Sequence, residues 1–234
     1  MEIQRLYSYL RQAIDEYKMI DEGDRIAVGV SGGKDSFALL YGLSGLRRFY
    51  PKRFELEAVT VDLGYKGFDY DKISKVCQSL EVKHTVVHTQ ICDMVEDGQC
   101  SLCARLRKGA FNNAIKELSC NKFAYAHNMD DVIETLMLSL IYEGRISTFW
   151  PVTEYEDSKL TMIRPMIYVP KADVTGFCNK YEIELVVNPC PFEKNTQRAY
   201  VRELIKNIEH HAPGARKRMM TAIRNGNLEG YGEV

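Results

Sequence analysis

Residues 31–36 read Ser-Gly-Gly-Lys-Asp-Ser, putting two glycines, two hydroxyls, an ammonium and a carboxylate into one short stretch. An apolar run at 26–30 precedes it, and Phe37, Ala38, Leu39, Leu40 and Leu43 follow at helical spacing. A buried strand, a glycine turn and a helix start make an anion site. The backbone N–H groups point outward there and the helix dipole favours negative charge. Two further chemical groups follow other apolar runs: Asp62, and His127-Asn128-Met129-Asp130-Asp131. Cys100 and Cys103 form a C-x-x-C pair, and Cys190 stands between Pro189 and Pro191. Taken alone, such a pair reads as a zinc site or a redox couple. Cys77, Cys92, Cys120 and Cys178 sit singly and read as small buried hydrophobes.

Spacing excludes two familiar phosphate loops. A Walker loop needs glycine where Val28 stands and a hydroxyl where Asp35 stands. The dinucleotide fingerprint G-x-G-x-x-G is not met by Gly29, Gly32 and Gly33.

The elements that must position these groups alternate. Strands are expected at 26–30, near 56–61, at 82–89 and at 122–128, with one or two more at 160–166 and 183–187. Helices are expected at 71–81, 102–120, 130–144 and 169–181. In the helix at 130–144, Val132, Ile133, Leu136, Met137, Leu140 and Ile141 share one face. Cys100 and Cys103 then fall just before a long helix. This alternation predicts an α/β fold, a parallel sheet with helices on both faces and a helical C-terminal tail. Ligands in such sheets sit beyond the carboxyl ends of the strands, where residues 31–36, Asp62 and 127–131 converge. An amphipathic helix is expected within 1–21, a nucleotide-binding catalytic unit over 22–190 and a basic helical segment over 191–234.

The chain has 234 residues and a net charge of −1, which argues against a dedicated nucleic-acid coat. Between Lys194 and Arg224, however, eight bases face two acids. That cluster reads either as a solvated helix face or as a site for a polyanion. No apolar run of membrane-spanning length occurs, and the first residues lack the core of a signal peptide. Seven cysteines without a secretory leader fit a reducing compartment, so a cytoplasmic location is expected.

The stretch at 31–36 resembles the phosphate loop of the PP-loop ATP pyrophosphatase family, and the likeness extends from about residue 22 to 190. Members adenylate a substrate oxygen, release pyrophosphate and let a nucleophile displace AMP. The resemblance implies that Ser31, Gly32, Gly33, Lys34, Asp35 and Ser36 hold the phosphates of ATP, with Val61 at the adenine and His127 and Asp131 nearby. Lys34 would neutralise the leaving pyrophosphate. Asp35, Asp130 or Asp131 would hold Mg²⁺, unless the last two simply cap a helix.

Residues 100–109 (CSLCARLRKG), 126–145 (AHNMDDVIETLMLSLIYEGR), 163–174 (IRPMIYVPKADV) and 188–198 (NPCPFEKNTQR) resemble the tRNA 2-thiocytidine synthetase family. That resemblance implies a 4Fe-4S cluster on Cys100, Cys103 and Cys190, with one iron left open for sulfide. It also implies a cytidine in an unstacked tRNA loop as substrate. Arg105, Arg107, Lys108, Arg198, Arg202 and Arg216 are then candidates for the RNA backbone. A cysteine desulfurase or free sulfide would supply the sulfur, with no membrane partner and a homodimer as one arrangement. Glu193 departs from the family, which often carries a second cysteine there. Other readings of the same residues are uridine thiolation, cluster-free persulfide chemistry, a nucleotide-binding regulator and a zinc-stabilised RNA-binding module.

Overall fold

The structure, a computed structural model, describes residues 1–96, 99–187, 189–190 and 197–226. Strands β1 (Asp24–Gly29), β2 (Phe54–Asp62), β3 (Lys83–His88), β4 (Lys122–Ala124), β5 (Val152–Tyr155) and β6 (Leu160–Ile163) form one sheet in the order β3-β2-β1-β4-β6-β5. All pairs are parallel except β5 with β6. The chain order therefore reverses at β1, where β2 lies on one side and β4 on the other. That is the position at which an open α/β sheet leaves a crevice beyond its strand ends.

Period-two alternation assigns the two faces. Ile26 and Val28 of β1 enter one core cluster, and Ala27 between them enters the other. The larger cluster also takes side chains from α1 (Ile3–Glu16), α2 (Lys34–Leu46), α3 (Tyr70–Ser79), α6 (Met129–Leu138) and α7 (Lys171–Lys180). The opposite face is covered by α5 (Cys100–Glu117) through Phe111, Ala114 and Ile115. A single turn, α4 (Ile91–Met94), precedes α5. The expected three-layer arrangement is thus present.

The three segments expected along the chain share one core. Leu6, Leu10 and Ile14 of α1 are buried in the larger cluster. So are Val201 and Ile205 of α8 (Gln197–His211) and Met220 and Ile223 of α9 (Ala215–Asn225). The apolar stripe of α1 lies so close to α2 that a side chain at Gly42 would meet Leu10 at 2.5 Å.

Three local expectations are corrected. Residues 183–187 are not a strand; Val186 instead donates its N–H to Gly32 O at 3.0 Å. The added strand is β5, antiparallel at the sheet edge, where a four-residue run gave little periodicity to read. After α6 the helix widens to a π-turn, Ser139–Glu143. The longer i→i+5 turn rotates the stripe, so Leu140 and Ile141 emerge exposed while Val132 and Ile133 stay buried.

Candidate functional site

The stretch after β1 folds as its composition requires. Gly32 sits at φ +75°, a left-handed conformation that glycine adopts without strain. A Cβ there would also meet Val186 at 2.6 Å. The Ser36 hydroxyl donates to Gly33 O at 2.9 Å and accepts the Ser31 N–H at 3.2 Å, closing the loop on itself. Among the described residues, no protein acceptor takes the N–H groups of Gly32, Gly33, Lys34 or Asp35. Four free amides at the start of α2 form a cradle for an anion.

The cradle opens on a cavity of about 450 Å³. Ser31, Asp35 and Ser36 line it from β1 and α2, Val61 and Asp62 from β2, and His127 from the end of β4. The three strand ends singled out in the sequence therefore meet in one site. The cavity continues past Tyr65, Phe68 and Tyr70 on one wall and Arg107, Lys108 and Phe111 of α5 on another, with Pro189 also in its lining.

The carboxylates divide. Asp35 lines the cavity and accepts Asn128 Nδ2 at 2.9 Å. Asn128 caps α6, and Asp131 completes a capping box by accepting the Asn128 N–H at 3.0 Å. Burial raises the Asp131 carboxyl above its ordinary value, against hydrogen bonding from Asn128. Asp130 accepts the Lys171 N–H at 2.7 Å and pairs with Arg216 at 3.1 Å. Asp130 thus ties helices together, Asp131 caps its own, and Asp35 is the carboxylate of the three that faces the cavity. Asp62 is held low although burial opposes it, because Tyr70, His88 and the Gly64 N–H all donate to it. Lys34 reaches out of the loop to Thr175 Oγ1 on α7 at 3.1 Å.

Cys100 and Cys103 lie in the first turn of α5 rather than before it. The i,i+3 spacing puts them on one helix face. Neither is in a disulfide, and nor is Cys190. The Tyr65 hydroxyl shares a hydrogen bond with the Cys190 thiol and lies within electrostatic reach of Cys103 and Cys92. Among the described residues no three His, Cys, Asp or Glu side chains are already gathered at metal-binding distance. In donor chemistry, three cysteine thiols with two at a helix N-terminus suit an iron–sulfur cluster. Cys120 and Cys178 are buried, as expected of core thiols.

The basic candidates also divide. Arg105, Arg107 and Lys108 are exposed on α5 beside the thiols. Arg202 instead forms a two-pronged pair with buried Glu134 at 3.0 and 3.4 Å. Arg198 pairs with the same carboxylate at 3.5 Å, and Arg216 with Asp130. These three arginines fasten the C-terminal helices to α6. The residues of 227–234 and the segment 191–196, including Glu193 and Lys194, lie outside the described residues.

Sequence reasoning did not single out Tyr65 or Arg164. Tyr65 follows Gly64 in a glycine- and aromatic-rich stretch after β2, a pattern that marks a loop built near a ligand. Arg164 is buried, and its charge at a strand end was the available clue.

Residues 4–209 match the family of PP-loop domains. The tRNA-cytidine(32) 2-sulfurtransferase of Citrifermentans bemidjiense is 34% identical over 229 residues, covering 94% of this chain and 90% of that protein. The enzyme of the same name from Geotalea daltonii is 36% identical over 232 residues, with 94% and 91% covered. In fold, the chain is similar to the U34-tRNA thiolase NcsA from Methanococcus maripaludis, solved with its [4Fe-4S] cluster. The TM-score is 0.76 at 24% identity, covering 95% of this chain and 78% of that one. An NH3-dependent NAD synthetase from Campylobacter jejuni shares the fold at a TM-score of 0.52 and 13% identity, with 98% and 95% covered. A nucleotide-type phosphate cradle and this near-complete match lead to one assignment: the chain belongs to the PP-loop domain family, grouping with its tRNA-cytidine(32) 2-sulfurtransferases.

Proposed function

We propose that this protein is an ATP-dependent tRNA sulfurtransferase that exchanges the C2 oxygen of an anticodon-loop cytidine for sulfur, forming 2-thiocytidine. The observation that carries this reading is the shared cavity. The phosphate loop faces it through Ser31, Asp35 and Ser36, and the segment bearing Cys190 and the helix bearing Cys103 border it. Relatives matched over about nine-tenths of both lengths bear the corresponding name.

The chain's own residues supply binding and orientation. The amides of Gly32, Gly33, Lys34 and Asp35 receive the terminal phosphates, and their dipoles need no rearrangement as charge builds on departing pyrophosphate. Lys34 has a flexible stem that carries its ammonium from Thr175 to that charge. Asp35 is the carboxylate that would meet Mg²⁺ in the cavity. The cytosine O2 attacks the α-phosphorus and pyrophosphate leaves; sulfur then replaces the activated oxygen, which departs within AMP. A cytosine must leave its stack to be reached, and Tyr65, Phe68 and Tyr70 offer faces to receive it. Cys100, Cys103 and Cys190 would hold a 4Fe-4S cluster, which with three protein ligands keeps one iron open and so supplies the capacity to carry sulfur. The exposed bases Arg105, Arg107 and Lys108 lie where the RNA backbone would approach. A reducing cytoplasm suits these thiols, with sulfide from a cysteine desulfurase or from solution.

Nucleoside mass spectrometry of tRNA from a deletion strain, with and without the gene restored, tests the reading. Loss and recovery of 2-thiocytidine is the expected result. Loss of 2-thiouridine instead, or of no thionucleoside, overturns it.

A further inference from the structure

The Arg164 side chain ends on the ring of His127. Arg164 Nε lies 3.3 Å from His127 Nδ1, and a guanidinium can only donate. Nδ1 must therefore accept, which places the ring proton on Nε2. The guanidinium is fixed in turn: Nη1 donates to Trp150 O and to Thr153 Oγ1, the latter at 3.1 Å, and the group lies over Phe149 at 5.3 Å. The ring is clamped between Phe149, with centroids 4.5 Å apart, and the edge of Tyr125. Among the described residues Nε2 has no hydrogen-bond partner, and His127 is part of the cavity lining. β4 pairs directly with β1, so His127 follows the strand beside the one that ends in the phosphate cradle.

We propose that Arg164 is a positioning residue: it locks His127 as the neutral Nε2–H tautomer, so that His127 donates a hydrogen bond to a phosphate oxygen of bound ATP. This rests on the nucleotide reading above. A neutral donor suits the task, because its Nε2–H is too weak an acid to pass its proton to the leaving group and so stays a donor as phosphoryl charge builds. Burial, with Arg164 and Arg198 nearby, pushes the ring down to about 3, so the charged form does not compete.

The test uses the full chain with ¹⁵N-labelled histidine, the His127 resonance being assigned by its absence in His127→Ala. Two-bond ¹H–¹⁵N spectra at neutral pH should show an unprotonated Nδ1 and a protonated Nε2, unchanged on acidification to about pH 5. In Arg164→Met the ring should become a mixture of tautomers that takes up a proton as the pH falls; Arg164→Lys, which still donates, should keep the wild-type pattern. Affinity for α,β-methylene-ATP with Mg²⁺ should fall about tenfold in His127→Ala and in Arg164→Met, and less in Arg164→Lys. A wild-type ring protonated on Nδ1, or charged, overturns the lock. So does an Arg164→Met spectrum identical to wild type. If Arg164→Met does not fold, the wild-type and Arg164→Lys spectra still decide. Unchanged affinity in His127→Ala overturns the phosphate contact. A wild-type chain with the expected tautomer but no nucleotide binding would sink the functional reading instead.

Discussion

Asn128 Nδ2 donates to Asp35 Oδ1 at 2.9 Å, so the cap of one helix holds the first turn of another at the phosphate cradle. Asn128→Asp should keep the cap, since both residues cap well, but it sets a carboxylate against Asp35. The expected outcome is near-native stability with nucleotide affinity about tenfold weaker, measured by calorimetry. Asn128→Ala should lose the cap as well, and with it about 1–2 kcal/mol by urea unfolding. Equal affinity in Asn128→Asp and wild type would separate the cap from the site.

Lys34→Ala removes the ammonium proposed above to meet the charge on pyrophosphate. Loss of about 3 kcal/mol of transition-state stabilisation is expected, on the order of a hundredfold in the rate of ATP-dependent thiolation. The hydrogen bond to Thr175 accounts for no more than about 1 kcal/mol of stability, so the fold should persist. Wild-type turnover in the variant would remove Lys34 from the reaction.

Glu134 is buried and holds Arg198 and Arg202 together. Glu134→Gln leaves two guanidinium groups short of a charged acceptor, with an expected cost of about 2 kcal/mol. Arg202→Glu should likewise lower the urea midpoint. Arg105→Glu should leave stability alone and instead lower the salt dependence of tRNA binding by about one ion. A salt slope that responds to Arg202 and not to Arg105 would reverse this division of labour.

The cysteines separate by position. Cys100→Ala, Cys103→Ala and Cys190→Ala should each lose iron and acid-labile sulfide after anaerobic reconstitution. Cys120→Ala and Cys178→Ala should retain both, since burial pushes these thiols up, Cys178 to about 11. A full iron content in Cys190→Ala would leave the three-thiolate site without its third member.

Acid should weaken the fold through His127. Its folded value is depressed from 6.5 to about 3, so its contribution is fully present above 6.5 and is lost as pH falls toward 3. The unfolding free energy should drop by up to about 1.4 kcal/mol per pH unit from this one ring. Half-buried His84, also depressed by its partial burial, adds the same sign. In His127→Gln the slope between about pH 6 and pH 4 should be smaller by one proton, as read from urea unfolding at several pH values.

The alternation of apolar runs made the α/β sheet readable, because each central strand is buried on both faces and each helix carries a stripe. The phosphate loop was readable because its chemistry is contiguous. The edge strand β5 was not: one face is solvated and its four residues carry no clear period. The stripe past Leu138 failed for a different reason, since a π-turn changes the angular repeat without changing the composition. Arg198, Arg202 and Arg216 illustrate a general limit. Sequence counts the charges of a tail, but the partners Glu134 and Asp130 lie some 64 to 86 positions away and meet them only in the folded chain. Tyr65 among the thiols depends on the same long-range assembly.

Val186 presses on Gly32 and donates to its carbonyl, and Cys190 follows only four residues later. Four extended residues span at most about 14 Å. The thiol is therefore on a short leash whose other end is pinned to the phosphate loop. While that pin holds, the backbone of Cys190 stays within about 14 Å of Val186, the residue that touches the start of the cradle. On the function proposed above, this anchoring would keep the cluster-binding thiol and the phosphate-binding loop within one reach of each other.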